Sequence, residues 1–133
     1  MTKIQILLND AAEVVMPALH DFDVKSFSIK NETLTLFLKE RDRAFSVQFI
    51  GVEQVVMGGF KEQNIILDLL LLTHTNCSAQ ELRLSSKRLG LKFHLDSETM
   101  HKYKNGDLIY AILYPSVGLD LQVLSKEVHI YQI

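Results

Sequence analysis

Few side chains in this chain suit acid–base or metal chemistry: it has five histidines, one cysteine and sixteen acidic residues among 133. The densest group is His20-Asp21-Phe22-Asp23. An imidazole beside two carboxylates suits a proton shuttle or a nitrogen-and-oxygen metal site. The same residue types order loops by bonding backbone groups, and that structural reading is preferred here. His94 and Asp96 stand two apart in an alternating stretch, so on a strand they share a face, and His101 follows closely. These three could hold a metal or act as acid and base; a solvated sheet face is the ordinary alternative. His74 and Cys77 lie three apart and are both zinc-ligand types, but a structural zinc site takes four ligands and no second close pair follows. Cys77 has no adjacent base to make it a nucleophile. His129 falls among alternating residues and is expected to face outward. The sequence contains no glycine-rich phosphate loop, nucleophile elbow, paired-cysteine zinc signature or two-histidine helix motif. The expectation is a chain without catalytic residues, metal or cofactor.

Composition narrows the classes. With 47% hydrophobic and 23% charged residues, the chain has an ordinary globular balance. Its length suits one domain spanning 1–133, large enough for a core without disulfide or metal staples. One cysteine cannot form an internal disulfide, which fits a reducing compartment. The net charge is -2, without the basic excess that phosphate neutralisation favours, so nucleic acid is not an expected partner. The densest basic cluster is Arg83, Lys87 and Arg88, on a predicted helix that also carries Glu81. The longest apolar stretch, 65–72, contains Asp68 and falls far short of the roughly 18 residues a membrane helix needs. The N-terminal apolar stretch is too short for a signal-peptide core. No membrane partner and a cytoplasmic location are expected.

The elements that must position these groups read mainly as strands. Residues 3–8 suit a strand or a first helical turn, and Asn9-Asp10-Ala11-Ala12-Glu13 reads as a helix start limited by Pro17. Phe27 and Ile29, then Leu34, Leu36 and Leu38, then Phe45, Val47 and Phe49 alternate with polar or outward positions. This pattern predicts a three-stranded antiparallel meander with turns at Asn31-Glu32 and 40–43. A short strand is expected at 53–57, broken by Gly58-Gly59. The run 64–73 reads as a strand covered on both faces, within which Asp68 should face water, a bulge or a partner. Ser78-Ala79-Gln80-Glu81 has capping-box spacing and starts a helix ending before Gly90, with β structure across 82–85 as the alternative. Leu91, Phe93 and Leu95 alternate as a strand would. Asn105-Gly106-Asp107 and Pro115-Ser116 mark turns, and 108–114, 119–123 and 128–133 complete the strands. The fold class predicted is α+β, strand-dominated: an antiparallel β-sandwich or curled sheet with one or two short helices.

Three stretches taken together resemble a known grouping. They are Leu19-His20-Asp21-Phe22; Phe49-Ile50-Gly51-Val52 with Gly59 to Asp68; and Tyr114-Pro115-Ser116-Val117-Gly118-Leu119 leading into Lys126 to Ile130. The pattern, spanning roughly residues 19–130, resembles the immunity proteins of bacterial polymorphic toxin systems, specifically the immunity protein 50 grouping and its relatives. His20, Asp21, Gly51, Val52, Gln63, Asn64, Pro115 and Gly118 carry it. Val117 departs from it, since the pattern favours an aromatic there. The resemblance implies a non-catalytic protein that neutralises a cognate toxin by direct binding and carries over no catalytic residue. A mildly acidic inhibitor would suit a basic toxin such as a nuclease, with Asp21, Asp23, Glu62 and Asp68 as candidate contacts. The bland reading of the motif is that it builds turns and fills backbone bonds. The protein is expected as a monomer or homodimer, and two other readings stay open: a structural protein that self-associates through apolar sheet edges, and a small metal or acid–base enzyme built on the histidines.

Overall fold

The computed structural model describes all 133 residues. Its elements run β1 (Thr2–Ile4), β2 (Leu7–Leu8), β3 (Val14–Met16), β4 (Asp23–Lys30), β5 (Thr33–Glu40), β6 (Arg43–Ile50), β7 (Gln54–Gly58), β8 (Ile65–Leu72), α1 (Ala79–Leu84), α2 (Ser86–Leu89), α3 (Ser97–Lys104), β9 (Ile109–Val117), β10 (Asp120–Ser125) and β11 (Glu127–Gln132). Nine strands form one antiparallel sheet in the order β1-β11-β6-β5-β4-β8-β9-β10-β7; β2 and β3 pair separately. The class is strand-dominated α+β with a curled sheet, and it has three helices.

The sheet curls because two of its ladders are continuous round a corner. β6 pairs with β11 and its continuation β7 pairs with β10, so residues 43–58 and 120–132 form one long bent ladder. The bend is built from Gly51 and Lys126. Gly51 has φ +68°, and a Cβ there would lie 2.8 Å from the Lys126 Cδ. The Lys126 N–H bonds to Ile50 O, and the Val52 N–H to Glu32 O at 2.8 Å. Gly51 is therefore a backbone requirement of the corner.

The inner face carries a core of 19 buried residues, including Leu34, Leu36, Leu38, Phe45, Val47 and Phe49 from the meander, opposite Ile66, Leu69, Leu71, Leu113, Leu121 and Val123. The other face of β8, β9 and β10 is also covered. Leu70, Leu72, Tyr110, Ile112 and Leu124 pack there against Leu82, Met100 and Tyr103 of the helices. Burial on both faces explains the apolar run 69–72, whereas in the first half of β8 only Ile66 is buried and Leu67 is 42% exposed, so the two-sided cover expected for the whole run holds for its second half alone. Asp68 stands where the β8–β9 register shifts, between Ile66 and Asp68, so the bulge turns its carboxylate out of both cores.

Several expectations need correction. Residues 9–13 form a tight turn. Asn9 Oδ1 accepts from the N–H groups of Ala11 and Glu13, both at 3.0 Å, and Ala12 at φ 63° leaves the helical region. Once Ala12 is buried and its carbonyl accepts from Leu71 N, docking outweighs helix propensity. Leu91, Phe93 and Leu95 do alternate in burial, but the segment is extended chain with no ladder partner. It lies on the outer face of β9 and β10, held at Lys92 N by Gln122 Oε1 (2.9 Å). Helix α3 was not predicted: Asp96, read as a strand residue, caps it by accepting from Thr99 N at 2.8 Å. Pro115 lies inside β9, opposite Ile66 at the register shift, and the turn comes at Gly118. Phe27 and Ile29 were expected inside, yet they are 38% and 58% exposed, because β8 meets β4 only at Asp23↔Ile65 and leaves the far half of β4 uncovered.

Candidate functional site

Three of the motif residues, Gln63, Asn64 and Gly118, meet at one buried amide. Asn64 is 2% exposed. Its Oδ1 accepts from Lys61 N (2.9 Å) and Leu119 N (3.0 Å), and its Nδ2 donates to Lys61 O (2.8 Å) and Val24 O (3.1 Å). Its own N–H donates to Asp23 Oδ1 at 2.8 Å. The side chain thus ties the 59–64 loop, the start of β4 and the β9–β10 turn into one knot. Gly118 completes it: φ is +87°, and a Cβ there would strike Gln63 O and Asn64 Oδ1. Gly59, at φ +72°, has Gly118 O in the place of a side chain. Asn64, Gly118 and Asp23 are therefore architectural, as are Gly51 and Val52 at the corner. Gln63 shapes the same loop through its carbonyl.

Of the four acidic residues singled out as contacts, two pairs separate. Asp23 is largely buried, bonded to Asn64 N and to Lys25 Nζ at 2.8 Å. With Glu62 it lines a shallow depression that also includes Lys25 and Lys61, so this area is mixed in charge. Asp21 and Asp68 lie elsewhere, both close enough to His20 to act on its charge. His20 Nδ1 is 3.0 Å from Leu67 O, and Nε2 is 3.4 Å from Asp21 Oδ1. Asp21 sits at φ 72°, a region Asp tolerates. The Leu67 carbonyl first, then Asp21, with Asp68 further off, raise the His20 pKa above the ordinary 6.5. The protonated ring can donate to both partners at once and clasp the 19–22 loop to the β8 bulge. A raised folded value contributes stability that is full below the unfolded imidazole value and fades as pH rises through the folded one. In an NMR titration the His20 ring protons are expected to report a midpoint above 6.5, and Asp21→Asn to move it down. A wild-type midpoint at or below 6.5 would refute the clasp.

Beside this clasp runs a cleft of about 390 Å³ between the 9–13 turn and helices α1 and α2. Leu70 and Leu72 of β8 form part of its floor, and Asp10, Glu13, Asp68 and Glu81 are among the residues that line it, with Arg88 as the one cation. The Arg88 guanidinium turns to Ser85 Oγ (3.3 Å). None of the four carboxylates takes part in an ion pair; the molecule's pairs are His20–Asp21, Lys25–Asp23, Lys102 with Glu53 and Glu98, and His129–Glu127. With Asp21 alongside, the cleft and its rim place five carboxylates against one arginine and one imidazole.

Only Asp21 and Asp68 of this group were singled out in the sequence. Asp10 and Glu13 carried the signature of a helix start and Glu81 that of a capping box. Half of that box forms: Ser78 Oγ accepts from Glu81 N at 3.1 Å, and Glu81 is among the residues that line the cleft. No local signal relates residues 10–13 to residue 81, because the two segments meet only where both dock on β8.

The remaining histidines do not converge. His74 lies against Gly106, and Cys77 is buried, its thiol pKa pushed up by desolvation. His101 Nε2 is 3.1 Å from Asn105 Nδ2. Asp96 is held below the usual carboxylate value by the Thr99 N–H. His129 is half-buried beside Glu127 and Tyr131. No group of three or more His, Cys, Asp and Glu side chains is arranged to hold a metal ion. No helix is long and apolar enough to cross a membrane. No protein-family model, curated protein or solved structure matches this chain.

Proposed function

We propose that this chain is a non-catalytic protein-binding domain that acts as an immunity protein in the bacterial cytoplasm, neutralising a cognate toxin by direct binding. The observation that carries the reading is the concentration of Asp10, Glu13, Asp21, Asp68 and Glu81 around one cleft, the four cleft carboxylates without an ion-pair partner. Like charges gathered on a folded surface repel, and they are satisfied when an opposite surface docks. A basic protein such as a nuclease toxin fits that field. The apolar floor supplies area that a partner can desolvate, and the His20 clasp fixes the rim beforehand, which lowers the ordering cost of binding.

The test is protection. Co-expressed with the toxin encoded beside its own gene, the wild-type chain is expected to rescue growth. The double variant Glu13→Lys, Asp68→Lys cancels the acidic field and is expected to bind about 10- to 100-fold more weakly and to lose protection, with its thermal midpoint near that of wild type. A double variant that protects as well as wild type would sink the acidic-cleft reading. Failure of the wild-type chain to protect would sink the immunity reading itself.

A further inference from the structure

The half of β4 left uncovered by β8 is a bare main-chain edge, and its sequence is its own complement. Asn31 and Glu32 have φ of 50° and 60°, the geometry of a two-residue hairpin, whose closing pair Lys30↔Thr33 exchanges both main-chain bonds. By alternation, Ser28 and Ser26 turn their N–H and C=O toward β5, while those of Phe27 and Ile29 point away from the sheet. The edge is closed at Val24, whose N–H bonds to Asn64 O and whose carbonyl accepts from Asn64 Nδ2, and β8 offers nothing beyond Asp23. The apolar strip beside this edge is half-exposed: Phe27 at 38%, Ile29 at 58% and Phe60 at 42%, with the Phe27 and Phe60 rings edge-to-face at 5.3 Å.

We infer that this edge pairs with the same edge of a second copy, antiparallel, about a two-fold axis through Ser28. In that register Phe27 of each copy stands opposite Ile29 of the other, so all four outward N–H groups and all four outward carbonyls find partners. Phe27 then packs on Ile29 twice, flanked by both Phe60 rings. Ser28 faces Ser28, and Ser26 faces Lys30, so no like charges are directly opposed. At each end the hairpin tip bearing Glu32 approaches Lys25 and Lys61 of the other copy. A one-residue slip would put Phe27 opposite Ser28 and bury nothing. Any alternating strand would match the backbone and the apolar strip, but the match of Glu32 at one end with Lys25 and Lys61 at the other is supplied by this chain itself, which is why the partner is a second copy.

Sedimentation equilibrium of the full chain from micromolar to millimolar concentration is expected to show the mass rising toward twice that of one chain. Ile29→Lys puts a charge opposite Phe27 and is expected to remain monomeric with wild-type circular dichroism, since Ile29 packs little in the monomer. Register is read separately: Ser28→Cys is expected to cross-link under mild oxidation at least tenfold faster than Ser26→Cys, because only position 28 meets itself, and Cys77 is buried. A wild-type chain that stays monomeric throughout, an Ile29→Lys variant that dimerises like wild type, or a Ser26→Cys variant that cross-links as fast as Ser28→Cys would each overturn the inference.

Discussion

Replacing Asn64 with alanine is expected to lower the free energy of unfolding by about 3–5 kcal/mol in urea titration, a large fraction of what a domain of this size possesses. The side chain makes four hydrogen bonds from a site 2% exposed. Lys61 is exposed, so its N–H and C=O can turn to water. The Leu119 N–H lies in the core side of the turn, and Val24 is fully buried. Those two groups carry most of the cost, because an orphaned buried donor or acceptor loses about 1–3 kcal/mol. Asn64→Asp separates the two halves of the amide. It keeps the acceptor for Lys61 N and Leu119 N, loses the donor to Val24 O and Lys61 O, and sets a second carboxylate near Asp23. It is expected to be destabilised also, and more so as pH rises through the carboxylate range. A loss below about 1 kcal/mol for the alanine variant would mean that water replaces the amide and that the knot is not what joins β4 to the β9–β10 turn.

Tyr103→Ala is expected to cost about 3–5 kcal/mol and to loosen the helical layer before the sheet. Tyr103 is 1% exposed on α3, and its hydroxyl donates to Cys77 O at 2.6 Å, at the entry to α1. One side chain thus holds α3 against the sheet and fixes where α1 begins. Burial raises the pKa of its phenol, so the hydroxyl stays a neutral donor through the physiological range. Tyr103→Phe keeps the packing and loses only the hydrogen bond, for about 1–2 kcal/mol. Hydrogen exchange should reveal the order of events: amides of α1, α2 and α3 are expected to lose protection in the alanine variant while those of β5 and β6 keep theirs. Uniform loss across helices and meander would show that the two cores open as one unit. Because α1 and α2 form one wall of the acidic cleft, the same variant is also expected to weaken partner binding without touching a carboxylate.

Legibility followed the range of the interactions involved. The meander was readable because its signals are local: Leu34, Leu36 and Leu38 face one way, and Asn31 tolerates the positive φ its turn requires. The strand at 65–72 was readable from its apolar run, but only 69–72 is buried on both faces; Leu67 is exposed although its residue type suggests burial. Helix α1 was readable because Ser78 and Glu81 lie within one turn of each other. Helix α3 was not, since its mean polarity is high and only Thr99, Met100 and Tyr103 are buried. Its capping residue Asp96 closed an alternating stretch that suggested a strand.

The amino-acid sequence determined the predominance of antiparallel strands, the two principal hairpin and capping signals, and the presence of an acid at position 68 that no core could accept. Those properties depend on residues within a few positions of one another, where sterics and periodicity act directly. Which acids meet was decided only by the tertiary structure. Asp10, Glu13, Asp68 and Glu81 come from a turn, a bulge and a helix, and they become neighbours only because each segment docks on β8. The same holds for Asn64, whose four bonds reach residues 24, 61 and 119, and for the free edge of β4, which exists because β8 diverges after a single pairing. Long-range docking is a property of the whole packed chain, so no local pattern encodes where its charges and unpaired edges will gather.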